Sequence, residues 1–282
     1  MRCATRRWRV SSRFALAIQW VTARFMPGGS VGFTRVCYLL EEPYMGRSLA
    51  ASRVLVLGGS SGIGLATAKA AAAGGAKVTL ASRSTDKVNA AVAQVGHGAA
   101  GAALDTTSDA ALEAFFSTQP EWDHIVVSVA AGRSAGLHDL SLQDAYGNMN
   151  AKFWTAYKTA RLARITPDGS LTLVSGYLSQ RPNKDALLQG CINAALESLG
   201  RGLALALSPV RVNTISPGLI DTPIRAAMPA DRKKAMLEHA AATLPARRVG
   251  QAEDVADAIL MLMTNPFTTG STLFVDGGGM IS

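Results

Sequence analysis

Cysteine, aromatic residues and charge are all scarce in this chain, and each scarcity removes a class of protein. Three cysteines among 282 residues, without paired spacing, supply neither a disulfide framework nor a zinc site, so a reducing compartment and no metal are expected. Charged residues make up 17% of the chain and hydrophobic ones 48%, the balance of a globular protein and not of a disordered one. No apolar run is long enough to cross a bilayer, and a cytoplasmic protein without a membrane partner is expected. Acidic residues are rarest at the start. Arg2, Arg6, Arg7, Arg9, Arg13, Arg24 and Arg35 face only Glu41 and Glu42 there. The formal charge of +8 therefore falls to about +3 over the remainder, which implies no nucleic-acid partner.

Residues 1–44 are Arg-rich, as a transit peptide would be, and their apolar stretch 14–21 has the length of a secretory core, yet no small-residue cleavage site follows it. They are expected to be a disordered basic extension or to follow a start placed too early. The domain is expected over 45–282.

From Arg53 onward the pattern is regular. An apolar run at 54–57, the turn GGSSGIG and an Ala-rich helix are followed by a run at 77–81 and a helix over 85–95. Further runs at 99–104 and 124–129 flank a helix near 108–117. A long helix is expected over 141–165, then a strand at 170–174, a helix ending near 207 and a strand at 210–215. Helices within 222–244 and 252–263 and a strand at 272–275 complete the series. Continuous apolar strands alternating with helices predict an α/β fold: a doubly wound, Rossmann-type parallel sheet of about seven strands in one domain.

Gly58, Ser60, Ser61, Gly62, Ile63 and Gly64 lie between the first strand and helix. Glycine there lets the backbone approach a pyrophosphate, and the helix N-terminus offers free N–H groups. The second strand ends in Ala81-Ser82-Arg83, with no acid to accept from a ribose 2′-hydroxyl and with an arginine able to pair with a 2′-phosphate, which favours NADP(H) over NAD(H).

The spacing Gly-x-x-x-Gly-Ile-Gly, Asn150 in NMNAKF, RVNTISPGLIDT at 211–222 and LFVDGGG at 273–279 together resemble the short-chain dehydrogenase/reductase family. The resemblance implies that Asp105 accepts from the adenine amino group and that Ala130 and Gly132 keep the backbone close to the cofactor. It also implies that Pro217, Gly218, Ile220 and Thr222 border the nicotinamide and diphosphate. Leu57 stands where the family usually has Thr, and Val129 where it has Asn.

The family protonates its product with a Tyr activated by a Lys one helical turn on and helped by a Ser. Its register, fixed on NAALESL and RVNTISPG, places these roles on Gln189, Asn193 and Gly176, with Ser175 beside the last. Neither amide exchanges a proton near neutral pH. Loss of a matched donor costs about 10²–10⁴ in rate unless another group supplies the proton. By periodicity alone, Gln189, Asn193, Glu197 and Arg201 read as a solvated stripe; by the family register, that face looks onto the nicotinamide. Tyr177 overhangs the expected pocket or packs in the core or a lid, Ser175 can donate to a substrate oxygen, and Asn150 remains without its usual lysine-linked relay. Tyr177 and Lys184 precede the helix, so their spacing is no catalytic pair. His124 and His138 are expected at a strand edge and in a loop, and no catalytic triad is expected.

Three functions fit these residues: an NADP(H)-dependent oxidoreductase with an altered donor set acting on a small carbonyl or conjugated substrate, a non-redox isomerase or lyase, and a catalytically silent NADP(H)-binding protein. Apolar residues between 220 and 244, among them Met228, Met236 and Leu237, suggest a lid over an apolar pocket. The resemblance implies a homodimer or homotetramer.

Overall fold

In the first strand, β1 (Arg53–Leu57), successive side chains point to opposite faces. Val54 and Val56 join one buried cluster while Leu55 and Leu57 join another, so the sheet is covered on both sides. This is why the strand reads as an unbroken apolar run. The computed structural model describes residues 48–223 and 228–282, all of which fall in one compact unit, Gly46–Ser282.

Seven parallel strands stand in the order β3-β2-β1-β4-β5-β6-β7. Their bounds are β2 Lys77–Ser82, β3 Ala100–Ala103, β4 Trp122–Val127, β5 Ile165–Val174, β6 Arg211–Pro217 and β7 Thr272–Val275. Parallel neighbours need crossovers, and the helices supply them. α1 (Gly62–Ala73), α2 (Thr85–Val95) and α8 (Ala252–Thr264) bury Ala68, Val88 and Ile259 on one face. α3 (Asp109–Thr118), α5 (Thr155–Leu162) and α6 (Leu187–Ala206) bury Leu112, Ala156 and Leu196 on the other. The chain order reverses between β1 and β4, which opens a crevice at the carboxyl ends of the strands, the usual ligand position in such sheets.

Two local departures from the sequence expectation bear on the site. The helix expected over 141–165 runs as α4 (Leu142–Met149), a π-helical turn over Asn150–Trp154, and α5, ending before β5 begins. At the turn, Thr155 Oγ1 donates across to Thr106, whose carbonyl oxygen lies 3.0 Å away and whose hydroxyl oxygen lies 3.2 Å away. Side-chain bonds of this kind accompany an extra residue in a helix, and such turns recur at functional sites. β5 also starts earlier than expected, with a register irregularity opposite Trp122 and His124.

His124 is not at a strand edge. It is buried in central β4, with Nδ1 2.9 Å from Ser170 Oγ, and burial lowers its pKa to about 4. Of the helices expected within 222–244, α7 (Ala230–Thr243) is present, while residues 224–227 and the basic segment 1–44 lie outside the described residues. Among the described residues, no helix is long and apolar enough to cross a membrane and no cluster of His, Cys, Asp and Glu could hold a metal.

Candidate active site

The cleft at the carboxyl ends of the strands has a volume of about 620 Å³. Its first wall is the turn between β1 and α1, where Gly58, Ser60, Ser61, Gly62 and Ile63 line the opening. Gly58 has φ +81°, and a Cβ added there would stand 2.4 Å from the Ser128 carbonyl oxygen, so the turn closes only with glycine. Gly64 supports this turn without lining the cleft. α2, α3 and α4 are each capped by a serine, Ser84, Ser108 and Ser141, whose oxygen accepts an N–H of the first turn. α1 has no such cap on Ser61 and no acid in its first turn. Its free N–H groups and positive dipole end therefore face an opening lined with hydroxyls, a donor set suited to a diphosphate.

Beyond β2, the exposed cations Arg83 and Lys87 line the cleft with Ser82 and Ser84. Ser60 Oγ lies 2.9 Å from Ser82 Oγ, tying the glycine turn to this rim. Lys87 was not expected. It sits in the first turn of α2, and its link to the rim follows from the backbone path of Ser82–Lys87 alone. Asp105 is held differently from the other cofactor candidates. Its Oδ1 accepts from Thr107 N at 3.0 Å and Thr107 Oγ1 at 2.7 Å, bonds that pull its pKa below the usual value, with Arg83 adding to the effect. Its neighbours Leu104 and Thr106 line the cleft, whereas the Asp105 side chain does not.

Ala130 and Gly132 form the next wall, with Ser128 and Val129, and Pro217, Gly218, Ile220 and Thr222 form the far one. Ser175, Tyr177, Gln189 and Asn193 gather at the inner end. Asn150 is not among them. Its amide donates to Thr107 O at 3.4 Å, and its Oδ1 accepts from Lys158 Nζ at 3.2 Å, so it ties α5 to the loop after β3.

The side chain that does reach the inner end from that helix is Lys152, in the π turn. It is 6% exposed, and its Nζ donates to Ser175 O at 2.8 Å and Asn193 Oδ1 at 2.6 Å. An ammonium has three hydrogens, and these are its two acceptors among the described residues. Burial pushes its pKa down to about 7, against an opposing pull from Glu197. Lys152 shares one buried stripe with Asn148, Thr155, Ala156 and Thr159. No sequence signal separates this lysine from the rest of a long helix, because its burial depends on what packs opposite.

The stripe on α6 is likewise turned inward. Asn193 and Glu197 are 2% and 3% exposed, while only Arg201 is solvated as the periodicity suggested. Glu197 Oε1 accepts from Ser175 at 3.0 Å, Ser179 at 2.6 Å and Ser216 at 3.2 Å, joining β5, the turn after it and β6. Ser175 Oγ also lies 3.2 Å from Ile215 O, so its single hydrogen is committed to the protein. Tyr177 opens the short 3₁₀ turn Tyr177–Ser179 and is half-buried. Its hydroxyl has no protein partner among the described residues.

A doubly wound sheet whose switch-point cleft joins a glycine turn and an uncapped helix N-terminus to a buried polar pocket has the architecture of dinucleotide-binding proteins. The family model described as enoyl-(acyl carrier protein) reductase matches residues 58–279. A short-chain dehydrogenase/reductase of an Acremonium species, ucsE, is 32% identical over 253 residues, covering 81% of this chain and 95% of its own. The cis-4-hydroxycyclohexanecarboxylate dehydrogenase of Sinomonas cyclohexanicum is 30% identical, covering 83% and 98%. The chain belongs to the short-chain dehydrogenase/reductase family. Among solved structures, a small-chain dehydrogenase in complex with NADPH is 34% identical with a TM-score of 0.72, over 82% of this chain and all of that one. MalC reductase/Diels-Alderase from Malbranchea aurantiaca is 25% identical with a TM-score of 0.76, over 83% and 98%.

Proposed function

We propose that the protein is an NADP(H)-dependent oxidoreductase that reduces a small organic carbonyl or conjugated acceptor with an altered proton-donor set. The observation that carries this reading is one continuous cleft, with an uncapped helix N-terminus and two cations at one end and a buried polar strip at the other. Arg83 and Lys87, with no acid at the end of β2, favour a 2′-phosphate over a free 2′-hydroxyl. The similarity to a dehydrogenase crystallised with NADPH supports the same cofactor.

When bound, the dihydronicotinamide supplies a hydride. The chain's own residues do the rest. Gly58, Ser60, Ser61 and the first turn of α1 hold the diphosphate, while Pro217, Gly218, Ile220 and Thr222 border the nicotinamide. Gln189 and Asn193 stand in the family register of the proton donor and its activator, and Gly176 in that of the serine. The pair cannot exchange protons, which is the sense in which the site is altered. Tyr177 offers an uncommitted hydroxyl to a substrate oxygen, and Ser175 fixes Glu197. The domain spans 45–282, works in the cytoplasm and assembles as a homodimer or homotetramer.

Anaerobic stopped-flow measurement of NADPH oxidation against ketone, enone and quinone panels, with cofactor analysis of the purified protein, tests this reading. Turnover on at least one class is expected. Retained NADPH without turnover on any acceptor would shift the assignment to a non-redox catalyst or a catalytically silent NADP(H)-binding protein, the former in line with the similarity to a protein whose name joins reductase with Diels–Alderase.

A further inference from the structure

We propose that Lys152 is a catalytic residue of this cleft, the group that protonates the product oxygen, and that Asn193 and Gln189 are the amides that aim it. The assignment rests on the oxidoreductase reading above. Its basis is position. The π turn carries Lys152 into the inner end of the cleft, where its Nζ lies 2.6 Å from the side chain of Asn193, the residue standing at the family's lysine position. The cation absent from α6 is thus delivered from the neighbouring helix to the same place.

Three features suit it to the role. Two of its three hydrogens are held by Ser175 O and Asn193 Oδ1, and the third has no acceptor among the described residues. Gln189 Nε2 lies 3.5 Å from the same Asn193 oxygen, which keeps that amide oriented with its oxygen toward the lysine. Asn193 Nδ2 lies against Gly176, where an added Cβ would stand 2.8 Å away. A side chain at 176 would therefore push the amide off Lys152, which gives a reason for glycine there. The charged or titratable groups at this end are Glu197, from α6, and Tyr177, from the turn after β5. Glu197 favours the ammonium, burial opposes it, and the balance places the lysine near neutrality, the range a general acid needs.

The step balances with the cofactor as reductant. Hydride adds to the carbonyl carbon, the carbonyl π pair moves to oxygen, and the new O–H bond forms as one Nζ–H bond of Lys152 breaks. The neutral amine then regains a proton from water.

The experiment compares the full-length parent with Lys152→Met, Lys152→Arg, Asn193→Asp and Tyr177→Phe, using NADPH and an acceptor the parent reduces. Lys152→Met should lower kcat by about 10²–10⁴ while leaving the NADPH dissociation constant within about threefold. Lys152→Arg, charged but unable to give up a proton, should be as impaired. Asn193→Asp, with a carboxylate against the ammonium, should move the alkaline limb of the kcat profile upward by about one unit or more. A second readout needs no turnover: binding of NADP⁺, whose ring is cationic, near pH 7 should release more protons from the parent than from Lys152→Met, by several tenths per site. Turnover in the parent with kcat unchanged in Lys152→Met, or a large loss confined to Tyr177→Phe, overturns the lysine and leaves the oxidoreductase reading standing. No turnover in the parent on any acceptor overturns both.

Discussion

Lys152 Nζ and Asn193 Oδ1 are 2.6 Å apart, a buried ammonium on one helix bonded to a buried amide on the next. The contact makes residue 193 unable to take back a lysine without cost. Asn193→Lys would set two ammonium groups within reach of each other at two buried positions, where like charges repel strongly. Restoring the family pair as Gln189→Tyr with Asn193→Lys is therefore expected to lower the unfolding midpoint and give no carbonyl reduction. Adding Lys152→Ser to the pair should recover stability and give measurable reduction. Equal thermal midpoints for the double and triple variants would contradict the repulsion.

Lys152 also sets a pH signature. Its pKa in the folded protein is about 7, below the ordinary 10.5 of the unfolded chain. Between these values the unfolded chain holds a proton that the folded chain does not, so stability gains from this group as pH rises. The gain is at most about 1.4 kcal/mol per unit. Below pH 7 both states are protonated and the penalty of burying the ammonium is fully present. Lys152→Met should then be at least as stable as the parent at pH 6, with the difference shrinking or reversing toward pH 10. Urea unfolding across that range measures it.

His124 acts in a lower window. Burial depresses its pKa from 6.5 to about 4, so the unfolded chain takes up a proton first as pH falls. Stability present above pH 6.5 is lost progressively down to about pH 4. His124→Gln should flatten that part of the stability curve. An unaltered acid slope in the variant would show that other groups govern it.

Glu197 is a junction, and its removal should be costly. Glu197→Ala leaves the hydroxyls of Ser179 and Ser216 without their acceptor, leaves Ser175 only the Ile215 carbonyl oxygen, and strips Lys152 of its opposite charge. A loss of about 3–5 kcal/mol is expected, the usual scale for breaking a buried charged network. Glu197→Gln, which keeps the shape and one acceptor oxygen, should lose less. Calorimetric or denaturant midpoints for the two variants give the comparison.

At the adenosine end, Arg83→Ala and Lys87→Ala are each expected to weaken NADPH binding by about 10–100-fold, the range of a charge-assisted hydrogen bond. NADH affinity should change little. Fluorescence titration with both cofactors measures the selectivity; equal losses for the two would place the cations away from the 2′-phosphate.

The sequence by itself determined the sheet. Runs such as 54–57 and 77–81 are apolar throughout because both faces of a parallel strand are covered, and the alternation with helices leaves one architecture. It also determined the glycine turn after β1, since a positive φ and the approach of Ser128 O at Gly58 are demands only glycine meets. What it left undecided is the inner end of the cleft. Read one helix at a time, Glu197 belonged to a polar stripe and Lys152 to a long regular helix.

Only the tertiary structure decided that both are buried, because burial is a property of what stands opposite. α6 lies on the sheet with Glu197 facing the hydroxyls of Ser175, just past β5, and Ser216 in β6, and the π turn offers Lys152 to Asn193. Positions 152 and 193 are far apart in the chain, and no local periodicity relates them. The crossover that packs α5 and α6 on the same face brings them together.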